Sequence, residues 1–225
     1  MILPERPSGP GRPKDPAKRQ AILQAAQALF LGNGYEGSSM EAIASEAGVS
    51  KLTLYSHFKD KESLFNAAVQ SICNASLPSS LFQLDDSLAA TAASAALVLV
   101  RQRLQEIGLA LHQLVSSPES IGLHRVMASM STANSQLPRL FIEAGPQRLL
   151  DDLQRLFGQL SHFRLLEIEQ PQRAAEHFCV LIKGIAHFYQ LIGYAPALDA
   201  PQAESHVADV VALFMRAYQA AEKPA

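Results

Sequence analysis

Residues 48–62 constrain the fold more than any other part of the chain. They read as a tight turn, a short helix, a second turn and the start of another helix. Gly48 is suited to end a preceding helix because glycine adopts positive φ angles without strain. Ser50 is suited to cap the next helix by accepting a backbone N–H. A helix of two turns is not stable alone, so it must belong to a larger unit, and its polar face needs a partner.

The short helix has one apolar face and one polar face. Val49, Leu54 and Phe58 are spaced so that they point inward, toward the rest of the unit. The side chains between them point outward and carry hydrogen-bonding groups. These outward residues are Lys51, Thr53, Tyr55 and His57.

Three more helices flank this segment. The first begins at Asp15-Pro16, carries an apolar stripe over residues 22–30 and ends at Gly32-Asn33-Gly34. The second helix of the chain runs to about residue 47, just before the short helix. The fourth helix follows the short one and begins near residue 60. The expected N-terminal caps are Asp15, Ser38 in a capping box with Glu41, Ser50 and Asp60.

Composition and charge narrow the class of protein. The 225-residue chain is 48% apolar, has a net charge of −2 and contains two cysteines, which indicates a globular protein of a reducing compartment. The basic side chains outnumber the acidic ones in residues 1–20, which favours a local contact with a polyanion. We expect no secretory signal there, and the apolar run over 89–100 is shorter than the ~20 residues that span a bilayer. The sequence therefore predicts a cytoplasmic protein without membrane contact.

The rest of the chain is also helical. Apolar stripes mark a long helix over residues 97–114, and prolines at 118, 171 and 201 are placed to open further helices. One stripe is interrupted at Gly145-Pro146, where we expect a kink. The predicted fold class is all-α with about nine helices. Its parts are a flexible basic arm (1–14), a three-helix helix-turn-helix domain (15–66) and a helical ligand-binding and dimerisation domain (67–225).

Many N-terminal residues recur at fixed spacing in one known family. They are Ile22-Leu23, Ala26, Leu29-Phe30, Gly34-Tyr35, Ile43-Ala44, Ala47-Gly48-Val49-Ser50, Thr53-Leu54-Tyr55, His57-Phe58, Lys61-Glu62, Leu64 and Phe65. These positions, over about residues 15–66, resemble the N-terminal signature of TetR-family transcriptional repressors. Residues 140–146 also resemble the AefR-like C-terminal domains of one subgroup. The resemblance implies a homodimeric DNA-binding repressor that a small molecule releases. Leu52 departs from the pattern, since many relatives carry a small residue there.

The helix-turn-helix needs side chains for phosphates and for base edges. Tyr55, His57 and Lys61 are suited to phosphate oxygens, and Ser38 and Ser39 can act likewise at a helix start. Lys51 can donate to guanine, whereas Leu52 and Thr53 can contact a thymine methyl. Two further candidates for DNA contact are Ser50, which is first of all a cap, and Arg12 on the arm, which can reach a phosphate or the minor groove.

The last two helices are too apolar for a monomer's surface, so we expect them to form a four-helix interface between two copies. The expected interface residues are Phe178, Ile182, Ile185, Tyr189, Val207, Val210, Val211, Phe214 and Tyr218. The long helix, the kinked helix and the Pro171 helix would enclose a cavity for an apolar or aromatic inducer. Its expected lining is Leu104, Leu111, Met127, Met130, Phe141, Phe178 and Phe188.

Alternatives to a ligand-controlled repressor remain open. The histidines have no i, i+4 metal spacing, and no nucleophile motif, phosphate loop or dinucleotide fingerprint occurs. We therefore expect no enzyme, no catalytic or metal site and no cofactor. A DNA-binding regulator without a ligand, either constitutive or controlled by a protein partner, is compatible with the sequence. The sequence does not distinguish activation from repression.

Overall fold

The structure is a computed structural model that describes residues 15–84, 92–129 and 136–219. These ranges contain ten α-helices, one short 3-10 helix (Ser79–Phe82) and no β-strand, which confirms the all-α prediction. The α-helices are α1 (Pro16–Asn33), α2 (Met40–Glu46), α3 (Lys51–His57), α4 (Lys61–Ser76), α5 (Ala93–Ser116), α6 (Pro118–Ser129), α7 (Leu137–Ala144), α8 (Pro146–His162), α9 (Pro171–Leu191) and α10 (Ala200–Ala217).

The chain divides into two compact units within α4, between Leu64 and Phe65. The first unit holds α1 to α3 and the start of α4. Its core is made by apolar side chains at helical spacing. The two seven-residue helices α2 and α3 depend on this core, because helices of that length are not stable alone. The fully buried side chains of this core are Ile22, Leu23, Ala26, Ile43, Leu54 and Leu64.

Local capping determines where the helices of the first unit begin. Asp15 accepts a hydrogen bond from the Ala17 N–H (3.0 Å), which confirms the predicted start of α1. The Asp60 carboxylate accepts one from the Ser63 N–H (2.7 Å), which confirms the cap of α4. The cap of α2 differs from the prediction, since Ser39 and not Ser38 accepts the N–H of Ala42 (3.1 Å).

The second unit is built around an aromatic cluster. Phe157 of α8, Phe178 of α9 and Phe214 of α10 are almost fully buried. Their ring centroids lie 5.0–5.9 Å apart. Rings at this separation add favourable edge and offset contacts to the burial of their apolar surface, so this cluster joins the three helices.

The predicted kink at Gly145-Pro146 is a complete break. Gly145 has φ −138° and ψ −67°, outside the helical region, so α7 ends before it and α8 starts at Pro146. Proline cannot donate the backbone hydrogen bond that would continue α7. The described ranges therefore hold ten α-helices where the sequence predicted about nine.

A second break interrupts α9 at Gly184. Its φ of 60° and ψ of −176° are open to glycine but strained for other residues. The carbonyl of Ile182 instead accepts hydrogen bonds from the side chains of His112 (Nδ1, 3.1 Å) and His206 (Nε2, 3.0 Å). The break changes which side of α9 faces the core: Ile182 before it is buried, whereas Ile185 after it is exposed.

The helices in the described ranges include none that is long and apolar enough to cross a membrane. Two predicted site residues, Arg12 and Met130, and the predicted arm over 1–14 lie outside the described residues.

Candidate DNA-binding surface and ligand cavity

The helix-turn-helix is formed by α2, a four-residue turn and α3. Gly48 lies in the turn with φ 64°, the conformation for which glycine was predicted there. The N–H of Val49 reaches back to the carbonyl of Ala44 (3.0 Å), which fixes the turn. Ser50 then caps α3 by accepting the N–H of Thr53 (3.1 Å). Backbone geometry and one cap thus set the direction of α3.

The outer face of α3 is exposed as predicted. Leu54 is fully buried beneath it, whereas Leu52 is 82% exposed and Tyr55 is 47% exposed. The Thr53 hydroxyl is partly held by a hydrogen bond with the Ser50 hydroxyl (2.9 Å), and His57 is half-buried. An exposed helical face with a cation, a phenol and an apolar tip suits the major groove, where both polar and methyl groups are displayed.

Lys51 has a partner in the protein. Its ammonium lies 2.9 Å from a carboxylate oxygen of Glu41 on α2. The hydrogen bond from Lys51 lowers the pKa of the Glu41 carboxyl. Both side chains are largely exposed, and ion pairs of this kind contribute little to stability. Lys51 can therefore exchange Glu41 for a guanine without a large energetic cost.

Lys61 is held more closely than its predicted phosphate role requires. Its ammonium donates to the Tyr35 carbonyl (2.8 Å) and lies 4.2 Å from the centroid of the Tyr35 ring. Burial and the nearby carboxylates raise the pKa of Tyr35 to about 12, so its phenol is neutral. These contacts give Lys61 a structural role, and its remaining N–H donors are all that a phosphate can use.

The predicted DNA contact by Ser38 is wrong. Its side chain is buried, and its hydroxyl donates to the carbonyls of Leu29 (2.9 Å) and Gly34 (2.7 Å). A buried hydroxyl that is satisfied by backbone carbonyls cannot reach a phosphate. Ser39 is exposed and caps α2, so it alone of this pair can face DNA.

The second unit contains an apolar cavity of about 150 Å³. Side chains from α4 to α9 surround it, rather than the three helices that the sequence predicted. A 150 Å³ apolar cavity accommodates about one aromatic ring. The lining includes Val69, Ile72, Cys73, Leu111, Val115, Leu123, His124, Phe141, Leu149, Leu150, Asp152, Cys179 and Lys183.

The cavity corrects part of the predicted lining. Leu111 and Phe141 line it, as expected. Leu104 and Phe178 do not, because they are buried in the core of the second unit. Phe188 is half-exposed and Met127 half-buried, and neither lines the cavity.

Sequence reasoning missed the contribution of α4 to the cavity. Val69, Ile72 and Cys73 have the i, i+3, i+4 spacing of an apolar face. That spacing was a usable signal. It continues the stripe of α4 beyond the residues needed for the first unit.

His124 of the cavity wall packs against His187, which lies outside the lining. The rings of His124 and His187 lie 5.2 Å apart, and His124 also meets the edge of Phe141 at 5.6 Å. Burial lowers the pKa of His124 to about 4, and the charges of His187 and Lys183 act in the same direction. Burial and Lys183 also lower the pKa of His187. Both imidazoles are therefore neutral at pH 7.

Comparison with known proteins identifies both units. The model of the bacterial regulatory proteins, tetR family, matches residues 22–68. The model of the C-terminal domain of AefR-like transcriptional repressors matches residues 102–220, which is more than half of the chain. The chain belongs to the TetR family. It is thus a DNA-binding transcriptional regulator and not an enzyme, as the sequence predicted.

Other TetR-family proteins resemble this chain to different extents. The HTH-type transcriptional activator FasR of Mycolicibacterium smegmatis is 41% identical over 71 residues, which cover 29% of this chain and 32% of that protein. The chain therefore matches only about a third of the length of this curated relative.

Solved structures match most of the chain. A TetR-family transcriptional regulator from Mesorhizobium loti is 28% identical, with a TM-score of 0.71 over 90% of this chain and 97% of that one. The flavonoid-responsive regulator FrrA is also 28% identical, with a TM-score of 0.67 over 91% of this chain and 98% of that one. The helical architecture is thus shared across both units.

TetR-family regulators usually form dimers, and the predicted interface residues fall into three groups by their exposure. Ile185 is 62% exposed and Tyr189 is also exposed, so both can meet a second copy. Tyr218 is half-buried against Phe214. The others are buried within their own protomer and are wrong as surface contacts, because core packing already covers them. They are Phe178, Ile182, Val207, Val210, Val211 and Phe214.

The exposed apolar side chains of α9 and α10 were only partly predicted. Val180, Phe188 and Leu213 are exposed, and so are Ile192 and Tyr194 just beyond α9. Apolar side chains concentrated on one region of a surface mark an interaction site more often than scattered ones do. The break at Gly184, which cannot be recognised from the apolar stripe, explains why Ile185 is exposed while Ile182 is buried.

Proposed function

We propose that this TetR-family regulator acts in the cytoplasm as a homodimeric repressor on a near-palindromic operator. A small apolar or aromatic ligand that occupies the cavity of the second unit releases it from DNA. The main support for control by a ligand is this cavity, which has an apolar wall and the size of one aromatic ring. A repressor that only bound DNA would need no such space.

DNA recognition is proposed to rest on the exposed face of α3. Tyr55 and His57 would contact phosphates, as would Ser39 at the start of α2 and, through its remaining donors, Lys61. Lys51, Leu52 and Thr53 would face base edges, with Ser50 beside them. Arg12 would add a contact from the N-terminal arm. Phosphate contacts set the position on the duplex, and base contacts set the preferred sequence.

The dimer is proposed to form through the exposed apolar residues of α9 and α10. A second copy that covers Ile185, Tyr189 and Leu213 removes apolar area from water, which stabilises association. Two-fold symmetry then places two copies of α3 on two half-sites, about 34–36 Å apart when the half-sites are one helical turn apart. A dimeric reader of this kind requires a near-palindrome.

Repression is supported by the C-terminal unit, whose family model describes AefR-like repressors. The similarity to the activator FasR is limited to 71 residues, which are 32% of that protein. FrrA is called flavonoid-responsive, and flavonoids are aromatic. For this chain that supports an aromatic ligand in the cavity. The ligand must bind the DNA-incompetent state more tightly, because equal affinity for both states shifts nothing.

The experiment that tests the proposal is selection of bound sequences from random duplex DNA with the purified protein. We expect a near-palindrome, whose two halves bind one dimer. Recovery of no preferred sequence, including after the protein is unfolded and refolded without ligand, would contradict operator binding. Candidate ligands are then screened by loss of binding to the selected site. If no small molecule releases the protein from the DNA, the result would favour constitutive binding or control by a protein partner instead.

Base readout is tested with two lysine variants. Lys51→Ala should change the preference at particular base pairs and weaken binding to the selected site by about 1–3 kcal/mol. Lys59→Ala removes the same charge from an exposed position just beyond α3. It should reduce affinity equally on all sequences, if at all. An identical selected sequence for wild type and Lys51→Ala would remove Lys51 from base recognition.

The interface is tested with two variants of equal exposure. Leu213 on α10 and Ile142 on α7 are each 47% exposed. Leu213→Glu should shift the protein toward monomer in sedimentation experiments, since it buries a charge between copies. Ile142→Glu should leave the dimer intact. A dimer unaffected by Leu213→Glu would place the interface elsewhere.

A further inference from the structure

The cavity wall has an unmatched positive charge. Six titratable side chains line the cavity, namely Cys73, His124, Arg148, Asp152, Cys179 and Lys183. Arg148 is held at the exposed rim by the side chains of Asn74 (2.7 Å) and Ser79 (2.9 Å). Asp152 hydrogen-bonds Arg155, which neutralises its charge. Asn74 and Ser79 are neutral, so Arg148 keeps its positive charge, but Arg148 is exposed to solvent. The half-buried cation of the lining is Lys183.

Lys183 has no compensating carboxylate. Within the ranges that the structure describes, no hydrogen bond or ion pair of its ammonium is found, and the residue is half-buried. Lys183 is half-buried beside an apolar wall, where the effective dielectric constant is lower than in bulk water. An anion delivered to the cavity would therefore gain more from Lys183 than it would from a fully hydrated lysine.

His124 lines the same cavity, close enough to Lys183 for that charge to help lower its pKa. Nδ1 of His124 is buried and has no hydrogen-bond partner in the part of the chain that the structure covers. The edge of its ring meets Phe141, which also lines the cavity. Buried polar atoms are normally satisfied, so an open position here is a place for a ligand atom.

We propose that the natural ligand is an apolar monoanion, with one aromatic ring in the cavity and one carboxylate that contacts Lys183 and His124. This inference rests on the proposed ligand-controlled function and specifies its ligand class. Lys183 supplies the charge, and a neutral His124 with its proton on Nδ1 donates a hydrogen bond to the same carboxylate. The apolar wall limits the rest of the ligand to about one ring. A neutral ligand of the same shape would leave Lys183 unmatched.

The experiment compares 4-ethylbenzoate with 4-ethylbenzamide, two probes that share shape and differ in charge. Isothermal titration calorimetry of the full-length protein at pH 7 measures both affinities. We expect the carboxylate to bind at least tenfold more tightly than the amide, since hydrogen bonds to charged groups are about twice as strong as neutral ones. Equal affinities, tighter binding of the amide or no binding of either probe would overturn the proposal.

Three variants locate the source of the preference. Lys183→Met should abolish the tenfold preference, and Lys183→Arg should keep it, because arginine retains the charge. Arg101→Met removes a cation from an exposed position of α5 and serves as the control, with the preference unchanged. Circular dichroism melting checks that each variant is folded. Persistence of the preference in folded Lys183→Met would also overturn the assignment.

Failure of the ligand class is distinguishable from failure of the proposed function. Operator release is measured separately, by anisotropy of a labelled copy of the selected DNA site. If a neutral apolar molecule releases the DNA while the carboxylate preference is absent, the function stands and the ligand class is wrong. If the carboxylate binds with the expected preference but does not release the DNA, the ligand class stands and ligand-controlled repression is wrong.

Discussion

Acidification should destabilise this protein through His124. Burial lowers the pKa of this imidazole to about 4 in the folded chain, whereas an unfolded histidine has a pKa near 6.5. Between these values the unfolded state binds more protons than the folded state does. The free energy of unfolding contributed by His124 is therefore complete above about pH 6.5 and falls as the pH drops toward 4.

The size of the effect follows from the two pKa values. For one group with this shift, the change between pH 7 and pH 5 amounts to about 2 kcal/mol. His124 is not fully buried, and solvent screening reduces the expected change to about 1 kcal/mol. The neighbouring His187, whose pKa is also lowered, adds to the loss in the same direction.

The assay is urea unfolding at pH 7 and pH 5, at one protein concentration because the proposed dimer would make the apparent stability depend on concentration. His124→Gln carries no titratable group and should lose about 1 kcal/mol less than wild type between the two pH values. His162→Gln, which removes an exposed histidine, should behave like wild type. If His124→Gln and wild type lose the same stability, His124 is not a buried neutral imidazole and the reasoning fails.

Four further changes should affect stability rather than DNA sequence preference, and urea unfolding measures each of them. Phe178→Ala should cost about 3–5 kcal/mol because it opens a cavity in the aromatic cluster of the second unit, and a loss below 1 kcal/mol would contradict that packing. Gly184→Ala should cost about 1–3 kcal/mol, since its φ is positive and the new Cβ would lie 2.9 Å from a histidine ring. Gly158→Ala, in open space within a regular helix, should instead stabilise by about 0.5–1 kcal/mol. Ser38→Ala should cost about 1–2 kcal/mol through its lost hydrogen bonds. The folded variant should bind the selected operator with unchanged affinity. A loss of DNA affinity without a loss of stability would show that Ser38 contacts DNA after all.

The first unit shows how far local sequence signals reach. The cap at Asp15, the turn at Gly48 and the cap at Ser50 each depend on neighbours within a few residues, and all three were predicted correctly. Ser38 and Ser39 compete for one role, however. Which of them caps α2 depends on whether the other is buried against the carbonyl of Leu29, nine residues away. The sequence pattern alone does not contain that contact.

Amphipathic periodicity in the second unit established that its segments are helices, but it did not determine what each apolar face contacts. Ile182 and Ile185 belong to one stripe in the sequence, yet the first is buried and the second is 62% exposed. The reason is the break at Gly184, where His112 and His206 from two other helices bind the freed carbonyl of Ile182. An apolar residue has the same preference for a core, a cavity wall or a partner surface, because removal from water drives all three. The sequence by itself therefore determined which segments are helical and where the helix-turn-helix lies, while only the tertiary structure decided which apolar residues form the core, the cavity and the exposed surface.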